Sequence, residues 1–77
     1  MEIQLISFGK IAEFLANQQL DIEEINNTNE LQLHLEKKFP PLSKLKYKLA
    51  INKVVIQQNT IVKNGDQVAI MPPFSGG

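Results

Sequence analysis

The sequence contains no cysteine, no arginine, no tryptophan and one histidine, and each absence removes a class of function. Without cysteine the chain forms no disulfide, no zinc–thiolate or iron–sulfur site, and has no thiol nucleophile. Eight lysines balance eight acidic residues, so neither a basic surplus nor the forked donors of arginine favour nucleic-acid binding. The composition therefore predicts a protein with no metal site and no bound cofactor, whose side chains perform no chemistry.

The length of 77 residues predicts one small domain. Folding at this size buries only roughly 60% of the unfolded chain's surface, too little for a second domain with its own cofactor cleft. No run of 18 apolar residues is present, and the first residues lack the layout of a signal peptide. We therefore expect a globular cytoplasmic protein that makes no contact with membranes.

Five strands are predicted from hydrophobic alternation and from turn signals at residues 52–53 and 64–66. They cover residues 3–8, 19–25, 47–51, 54–56 and 67–71. The first and last strands are rich in apolar residues, as expected of parallel neighbours in the middle of a sheet. The predicted class is α+β, with a mixed five-stranded sheet and two helices on one face.

The two helices follow the first and second strands. A short one is expected after the first strand, because Ile11, Phe14 and Leu15 fall on one helical face. The other begins after the capping residues 26–28, carries a buried stripe of leucines ending at Phe39, and stops at the proline pair 40–41.

The residues after the last strand form the most informative segment. Pro72 and Pro73 end that strand and favour an extended arm, which from Pro73 to Gly77 reaches at most ~13 Å. Gly76 and Gly77 lack Cβ atoms, so the arm could pass through a narrow channel and present its carboxylate to another protein. Adenylation would activate that carboxylate, and a sulfur nucleophile could then displace the nucleotide. In a chain without cysteine this carboxylate is the obvious place for a reactive sulfur.

The run Asn64-Gly65-Asp66-Gln67-Val68-Ala69 and the ending Pro72-Pro73-Phe74-Ser75-Gly76-Gly77 resemble the small subunit of molybdopterin synthase, the MoaD group of β-grasp sulfur carriers. The likeness extends over almost the whole chain. It implies a ubiquitin-like β-grasp domain at residues 1–71 and an extended tail at residues 72–77. Pro72, Pro73, Phe74, Ser75 and Gly76 would thread into a partner, and Gly77 would carry the reactive group.

The resemblance also implies a reaction cycle. An E1-like adenylating enzyme would use ATP to adenylate Gly77, and a sulfur donor protein would convert it to a thiocarboxylate, a covalent 1-thioglycine. The tail would then enter the large synthase subunit and pass its sulfur to cyclic pyranopterin monophosphate, forming the molybdopterin dithiolene. Two small and two large subunits would form a heterotetramer, with the catalytic side chains on the large subunit.

Docking in this family uses an apolar patch beside the tail, and the matching positions are Phe8, Val55 and Met71. Taken without the resemblance, these three residues would be interpreted as core. One departure is Ala12, where many members carry arginine, so no role is assigned to Ala12.

Other interpretations remain open from the residues alone. The chain could carry sulfur for the thiazole of thiamine or for a tRNA base, modify protein lysines as ubiquitin does, or simply bind a partner. Five of the eight lysines lie between residues 37 and 48, which indicates a solvated face or, as the alternative, a surface for an acidic partner. Lys53 and Lys63 are interpreted as turn residues that favour solubility, and His34 as a surface residue.

Overall fold

The computed structural model describes residues 1–73, so Phe74, Ser75, Gly76 and Gly77 lie outside the described residues. The strands and the α-helix are β1 (Glu2–Ser7), β2 (Gln18–Asp21), α1 (Thr28–Lys38), β3 (Lys48–Ile51), β4 (Val54–Val55) and β5 (Gln67–Met71). Two short 3-10 helices, Gly9–Glu13 and Pro40–Lys44, follow β1 and α1. Within the described range the fold is therefore α+β.

The five strands form one mixed sheet in the order β2-β1-β5-β3-β4. β1 and β5 are parallel and central, with Leu5 opposite Val68 and Ile6 opposite Ala69. The other neighbouring pairs are antiparallel. The predicted parallel pairing of the first and last strands is confirmed.

Helix α1 begins at an N-cap within residues 26–28, as predicted, and Glu30 makes this cap reciprocal. The Asn27 side chain accepts a hydrogen bond from the Glu30 amide (2.9 Å), and the Glu30 carboxylate accepts one from the Asn26 amide (2.8 Å). Leu31 and Leu35 are fully buried and pack into the core, as predicted. One face of the helix thus covers one face of the sheet.

The core lies between α1 and that face of the sheet. Its sheet contribution comes from alternate positions of the strands, namely Ile3, Leu5, Leu20, Leu49, Val68 and Ile70. Because side chains alternate across a strand, the residues between these positions point to the opposite face. Among residues 1–73 no helix covers that opposite face, which we call the open face.

The prediction of two helices on one face is wrong, since the first is only a five-residue 3-10 turn, Gly9–Glu13. The amides of Phe14 and Leu15 both donate to the Ile11 carbonyl, which closes the turn. Ile11 and Leu15 are buried as expected, but Phe14 is 38% exposed. Five residues make too few i to i−4 bonds to offset the cost of helix nucleation, so the tighter turn forms instead.

The second predicted strand is also shorter than expected, because β2 ends at Asp21 rather than Ile25. Glu24 has a left-handed backbone (φ 59°), which is incompatible with a continuing strand. Ile22 and Ile25, three residues apart, are nevertheless both buried, because the loop after β2 packs on the core.

No helix of the described residues has the length and apolar character needed to cross a membrane.

Gly9 and Gly65 provide a matched pair for testing how the chain is held after β5. Both have positive φ (60° and 87°), but a Cβ on Gly9 would lie 2.8 Å from the Pro72 Cγ, whereas one on Gly65 meets nothing within 4 Å. We expect Gly9→Ala and Gly65→Ala each to lower the free energy of unfolding by about 1 to 2 kcal/mol through backbone strain. Chemical denaturation measures this loss.

Only Gly9→Ala should also displace Pro72, and therefore shift the amide NMR resonance of the preceding residue, Met71. Gly65→Ala is the control for strain without this contact. An unchanged Met71 resonance in Gly9→Ala would show that Gly9 does not position Pro72.

Candidate docking surface and tail root

The open face of the sheet contains a concave apolar surface that encloses a volume of about 290 Å³. One row of paired residues crosses its floor, with Ile6 opposite Ala69, Ala69 opposite Ala50, and Ala50 opposite Val55. The two central residues are alanines and the two outer ones are larger, so the row is low in the middle and raised at its ends. We call this surface the open-face concavity.

Phe8, Val55 and Met71 all line the open-face concavity, although they come from three separate parts of the chain. Phe8 is 48% exposed, Val55 is 43% exposed, and Met71 is partly buried. None of them belongs to the core cluster, so the structure does not place them where a core interpretation would. The structure thus brings the three residues together, and their part in docking stays a prediction.

Five residues of the same surface were not singled out by the sequence as functional: Ile6, Ala50, Ala69, Gln67 and Lys53. Ile6 carried a signal, because it breaks the alternation of β1 by placing an apolar group on the second face. The two alanines carried no such signal, because a small residue on a strand can be assigned to the bottom of a concavity only when its cross-strand neighbours are known. Lys53, interpreted as a solubility residue, instead adds a cation to the rim.

A hydrogen-bonded turn network fixes the position of Lys53. Asp66 accepts from the Asn52 side chain (2.9 Å) and from the Lys63 amide (2.8 Å). The Asn52 side chain in turn accepts from the Gln67 amide (2.9 Å). Asn52 and Lys53 both have positive φ (50° and 74°), as a tight hairpin turn requires. The β3–β4 turn, predicted at residues 52–53, is therefore tied to the start of β5 through the Asn52 side chain, a link that the sequence did not indicate.

The root of the tail lies at the edge of the same surface. The Phe8 amide donates to the Ile70 carbonyl (3.0 Å), so the β1–β5 pairing continues to the last residues of both strands. Pro72 then lies against Gly9, and Pro73 is exposed. The chain thus leaves the domain next to Phe8 and Met71. The predicted threading residues Phe74, Ser75 and Gly76, and the predicted reactive residue Gly77, lie outside the described residues.

No group of three histidine or acidic side chains within residues 1–73 is arranged to hold a metal ion. Burial, and then a hydrogen bond donated to Glu36, raises the pKa of the Tyr47 hydroxyl well above its ordinary value. The Tyr47 hydroxyl is therefore held as a protonated donor, and it links the residue before β3 to Glu36 of α1.

Comparison with known proteins finds relatives of this chain in both sequence and structure. The molybdopterin synthase sulfur carrier subunit of Haemophilus influenzae is 30% identical over 80 residues, covering 97% of this chain and 99% of that protein. A chain in the solved complex of subunits 1 and 2 of the molybdopterin-converting factor from Helicobacter pylori is 29% identical, with a TM-score of 0.73 and full coverage of both chains. The small archaeal modifier protein 1 of Haloferax volcanii has a TM-score of 0.77 at 16% identity, covering 95% of this chain and 98% of its own.

The likeness to the archaeal modifier is one of fold alone, and it agrees with the ubiquitin-like β-grasp architecture expected from the sequence. The sequence likeness to the Haemophilus protein runs through nearly the whole of both chains. Residues 5–77 match the ThiS family, and this range contains β5, the proline pair and the glycine pair. The chain therefore belongs to the ThiS family.

Proposed function

We propose that this protein is the sulfur carrier subunit of a molybdopterin synthase. The observation that carries the proposal is the open-face concavity, an uncovered apolar surface beside the point where the chain leaves the domain at Pro72. A protein that docks on Phe8, Val55 and Met71 meets the root of the tail at once. The sulfur-carrier name and near-complete coverage of the Haemophilus relative support the same assignment.

The reacting group in this proposal is the carboxylate of Gly77. One carboxylate oxygen attacks the α-phosphorus of ATP on an E1-like adenylating enzyme, and pyrophosphate leaves. The outer sulfur of a persulfide on a donor protein then attacks the acyl carbon and AMP leaves, which gives an acyl disulfide. A second thiol attacks the donor's sulfur in that disulfide and breaks the S–S bond, so that the thiocarboxylate is released with one oxygen replaced by sulfur. The thiocarboxylate sulfur then attacks cyclic pyranopterin monophosphate, and water hydrolyses the resulting thioester, which leaves the sulfur on the pterin and returns the carboxylate. The carrier contributes an accessible acyl carbon, and its folded domain supplies recognition.

The partner in the transfer step is the large synthase subunit, in an assembly of two small and two large subunits. The solved Helicobacter complex of subunits 1 and 2, one chain of which is 29% identical to this one, supports a large-subunit partner. The apolar character of the open-face concavity also fits a protein partner, because burying such a surface contributes roughly 25 cal/mol per Å² of apolar area. ATP is a substrate of the adenylating enzyme, and the carrier itself holds no resident cofactor.

Two alternatives use the same tail chemistry or the same fold. A carrier for thiamine or tRNA thiolation would be loaded identically but would donate to another acceptor. A ubiquitin-like modifier, as the fold of the Haloferax protein allows, would form isopeptide bonds to lysine instead. Pro72-Pro73-Phe74 before the small residues favours the molybdopterin carrier, because this ending resembles that group more than the thiamine carriers.

Loading of Gly77 is tested by intact-mass analysis of the full chain after incubation with ATP, the adenylating enzyme and a sulfur source. We expect a mass gain equal to the replacement of one oxygen by sulfur, located to Gly77 by fragmentation. A chain lacking Gly77 is the control and should gain nothing, because its terminal carboxylate is one residue short of the activating site. The same gain in the truncated chain, or a protein-linked ladder in place of the free thiocarboxylate, would contradict the proposal.

Docking on the open-face concavity is tested with Met71→Lys. The substitution places an ammonium group among apolar side chains, and we expect affinity for the large subunit to fall by about tenfold or more because that charge must be desolvated on binding. Met71 lies outside the core, so the thermal unfolding midpoint should change little. Isothermal titration calorimetry and circular dichroism measure the two quantities.

Leu33→Lys is the matched control, because Leu33 is an apolar residue of α1 with 68% exposure, and α1 packs on the opposite face of the sheet. It should leave affinity unchanged. Equal binding by both variants would place docking elsewhere, and unfolding of Met71→Lys would return Met71 to the core.

A further inference from the structure

The turn before β5 contains the dipeptide Asn64-Gly65. The backbone nitrogen of the residue after an asparagine can attack the asparagine side chain when that nitrogen is unhindered, and glycine hinders it least because it has no Cβ. The chain has seven asparagines, and the other six precede Gln18, Asn27, Thr28, Glu30, Lys53 and Thr60. Asn64 is therefore the asparagine at which the sequence favours this reaction.

The turn is open to water. Asn64 and Gly65 are both exposed, and a Cβ built on Gly65 would meet nothing of residues 1–73 within 4 Å. Water, which is the second reactant, therefore has access to both residues. Burial does not protect the dipeptide, so any protection must come from its hydrogen bonds.

Both reacting groups are held by one residue of β1. The Asn64 side-chain oxygen accepts a hydrogen bond from the Glu2 amide (2.7 Å), and the Gly65 amide donates to the Glu2 carbonyl (2.7 Å). The second bond keeps a proton on the nitrogen that would attack, so it must open before the reaction starts. Because ring closure brings the carboxamide carbon onto that nitrogen, the reaction also disrupts the first bond.

Glu2 holds the turn from the end of the sheet where local opening is easiest. It is the first residue of β1, and the parallel register of β1 with β5 begins only at Gln4, whose amide donates to the Asp66 carbonyl (2.9 Å). Chain ends open locally at a lower free energy than the core strands. The two bonds to Glu2 can therefore open without unfolding of the whole domain.

We propose that Asn64 is a deamidation site of this chain, and that its pairing with Glu2 sets the rate. After the Gly65 nitrogen loses its proton to solvent, it attacks the side-chain carbonyl carbon of Asn64, and the side-chain nitrogen takes a proton and leaves as ammonia. Water then opens the succinimide ring. Attack at the side-chain carbon gives aspartate, and attack at the backbone carbon gives isoaspartate. One water is consumed and one ammonia is released, with no oxidation or reduction.

The isoaspartate product has one more methylene in its main chain, between the two groups that Glu2 holds. Glu2 cannot hold both at the new separation, so the start of β1 should detach from the turn. Asn64→Asp is the matched control, since it carries the same charge on an unaltered main chain. We expect the isoaspartyl form to unfold at a midpoint about 4 °C or more below that of Asn64→Asp, the shift expected from the loss of one hydrogen bond. Calorimetry measures both, and equal midpoints would overturn this consequence.

The site is tested by comparing the deamidation rate of the full chain when folded and when unfolded in guanidinium chloride, at the same mildly alkaline pH. Peptide mapping by mass spectrometry follows the replacement of NH2 by OH at Asn64, and isoaspartyl methyltransferase detects the isoaspartate. We expect the folded chain to react about tenfold or more slowly, because two hydrogen bonds must open first. In the unfolded chain Gly65→Ala should lose most of the reaction, because a Cβ then stands beside the attacking nitrogen.

Glu2→Pro tests the hydrogen bond to the carboxamide. Proline has no amide N–H, and the first residue of a strand tolerates it. We expect the folded variant to deamidate about three- to tenfold faster than wild type, the factor to which one hydrogen bond corresponds. Glu2→Ala is the matched control, because it keeps both backbone groups and should leave the rate unchanged. Circular dichroism checks that both variants fold.

Equal rates in the folded and unfolded wild-type chain would overturn the role of Glu2, as would equal rates in folded Glu2→Pro and Glu2→Ala. Faster reaction at another asparagine of the unfolded chain would overturn the assignment to Asn64. If Glu2→Pro does not fold, hydrogen exchange of the Gly65 amide in wild type decides the same point. We expect that amide to be protected by about the factor that separates the two deamidation rates, and an unprotected amide would contradict the proposal.

Discussion

The parallel pairing of β1 with β5 is the constraint on which the rest of the structure depends. It joins the two ends of the domain at the centre of the sheet, and hydrogen bonds close it at both ends, from Gln4 to Asp66 and from Phe8 to Ile70. Parallel strands end at the same edge of a sheet, so the chain after β5 leaves beside the chain after β1. The contact of Pro72 with Gly9 follows from this direction. An antiparallel pairing would have put the tail at the opposite edge from Phe8.

The same pairing explains why one sheet face stays open. β1 and β5 carry apolar side chains on both faces, yet the connection between them supplies a single α-helix of 11 residues, about 16 Å long. A helix of that size covers one face of the sheet. On the other face Ile6 and Ala69 stay partly exposed, in the row that also contains the more deeply buried Ala50, where an antiparallel sheet with one solvated face would carry polar residues. The exposed apolar row is thus built into the central strands.

Elements whose signal is local could be predicted from the sequence, and those that depend on distant neighbours could not. β5 was predicted at its observed limits because a glycine turn and a proline pair border it. The N-cap of α1 was predicted within residues 26–28 because the Asn27 side chain bonds an amide only three residues along the chain. The prediction of the first helix was wrong, because three apolar residues at helical spacing do not show how many backbone hydrogen bonds the segment can form. The segment is limited by Asn17, whose side chain accepts a hydrogen bond from the Ser7 amide of β1.

The candidate site divides in the same way. Phe8 and Met71 could be selected by resemblance, but the floor of the concavity that they line could not, since Ala50 and Ala69 become adjacent only through the register of β3 with β5. Likewise, Phe14 was taken for a buried residue, and it lines a groove because the 3-10 turn rotates it away from the core. In both places the missing information was how segments distant in the sequence lie relative to one another, and not the chemistry of the residues.

A net charge of zero conceals a separation that bears on recognition. Residues 21–36 carry five acidic residues and no lysine, whereas residues 37–48 carry five lysines and no acid. At physiological salt a charge is screened beyond about 8 Å, so a partner at the surface responds to the local lysines and not to the total. Apolar burial, in contrast, is not screened and has no direction. Both kinds of contact therefore act at short range, so the surface that a partner recognises is set by local lysines and local apolar side chains, and not by the total charge of zero.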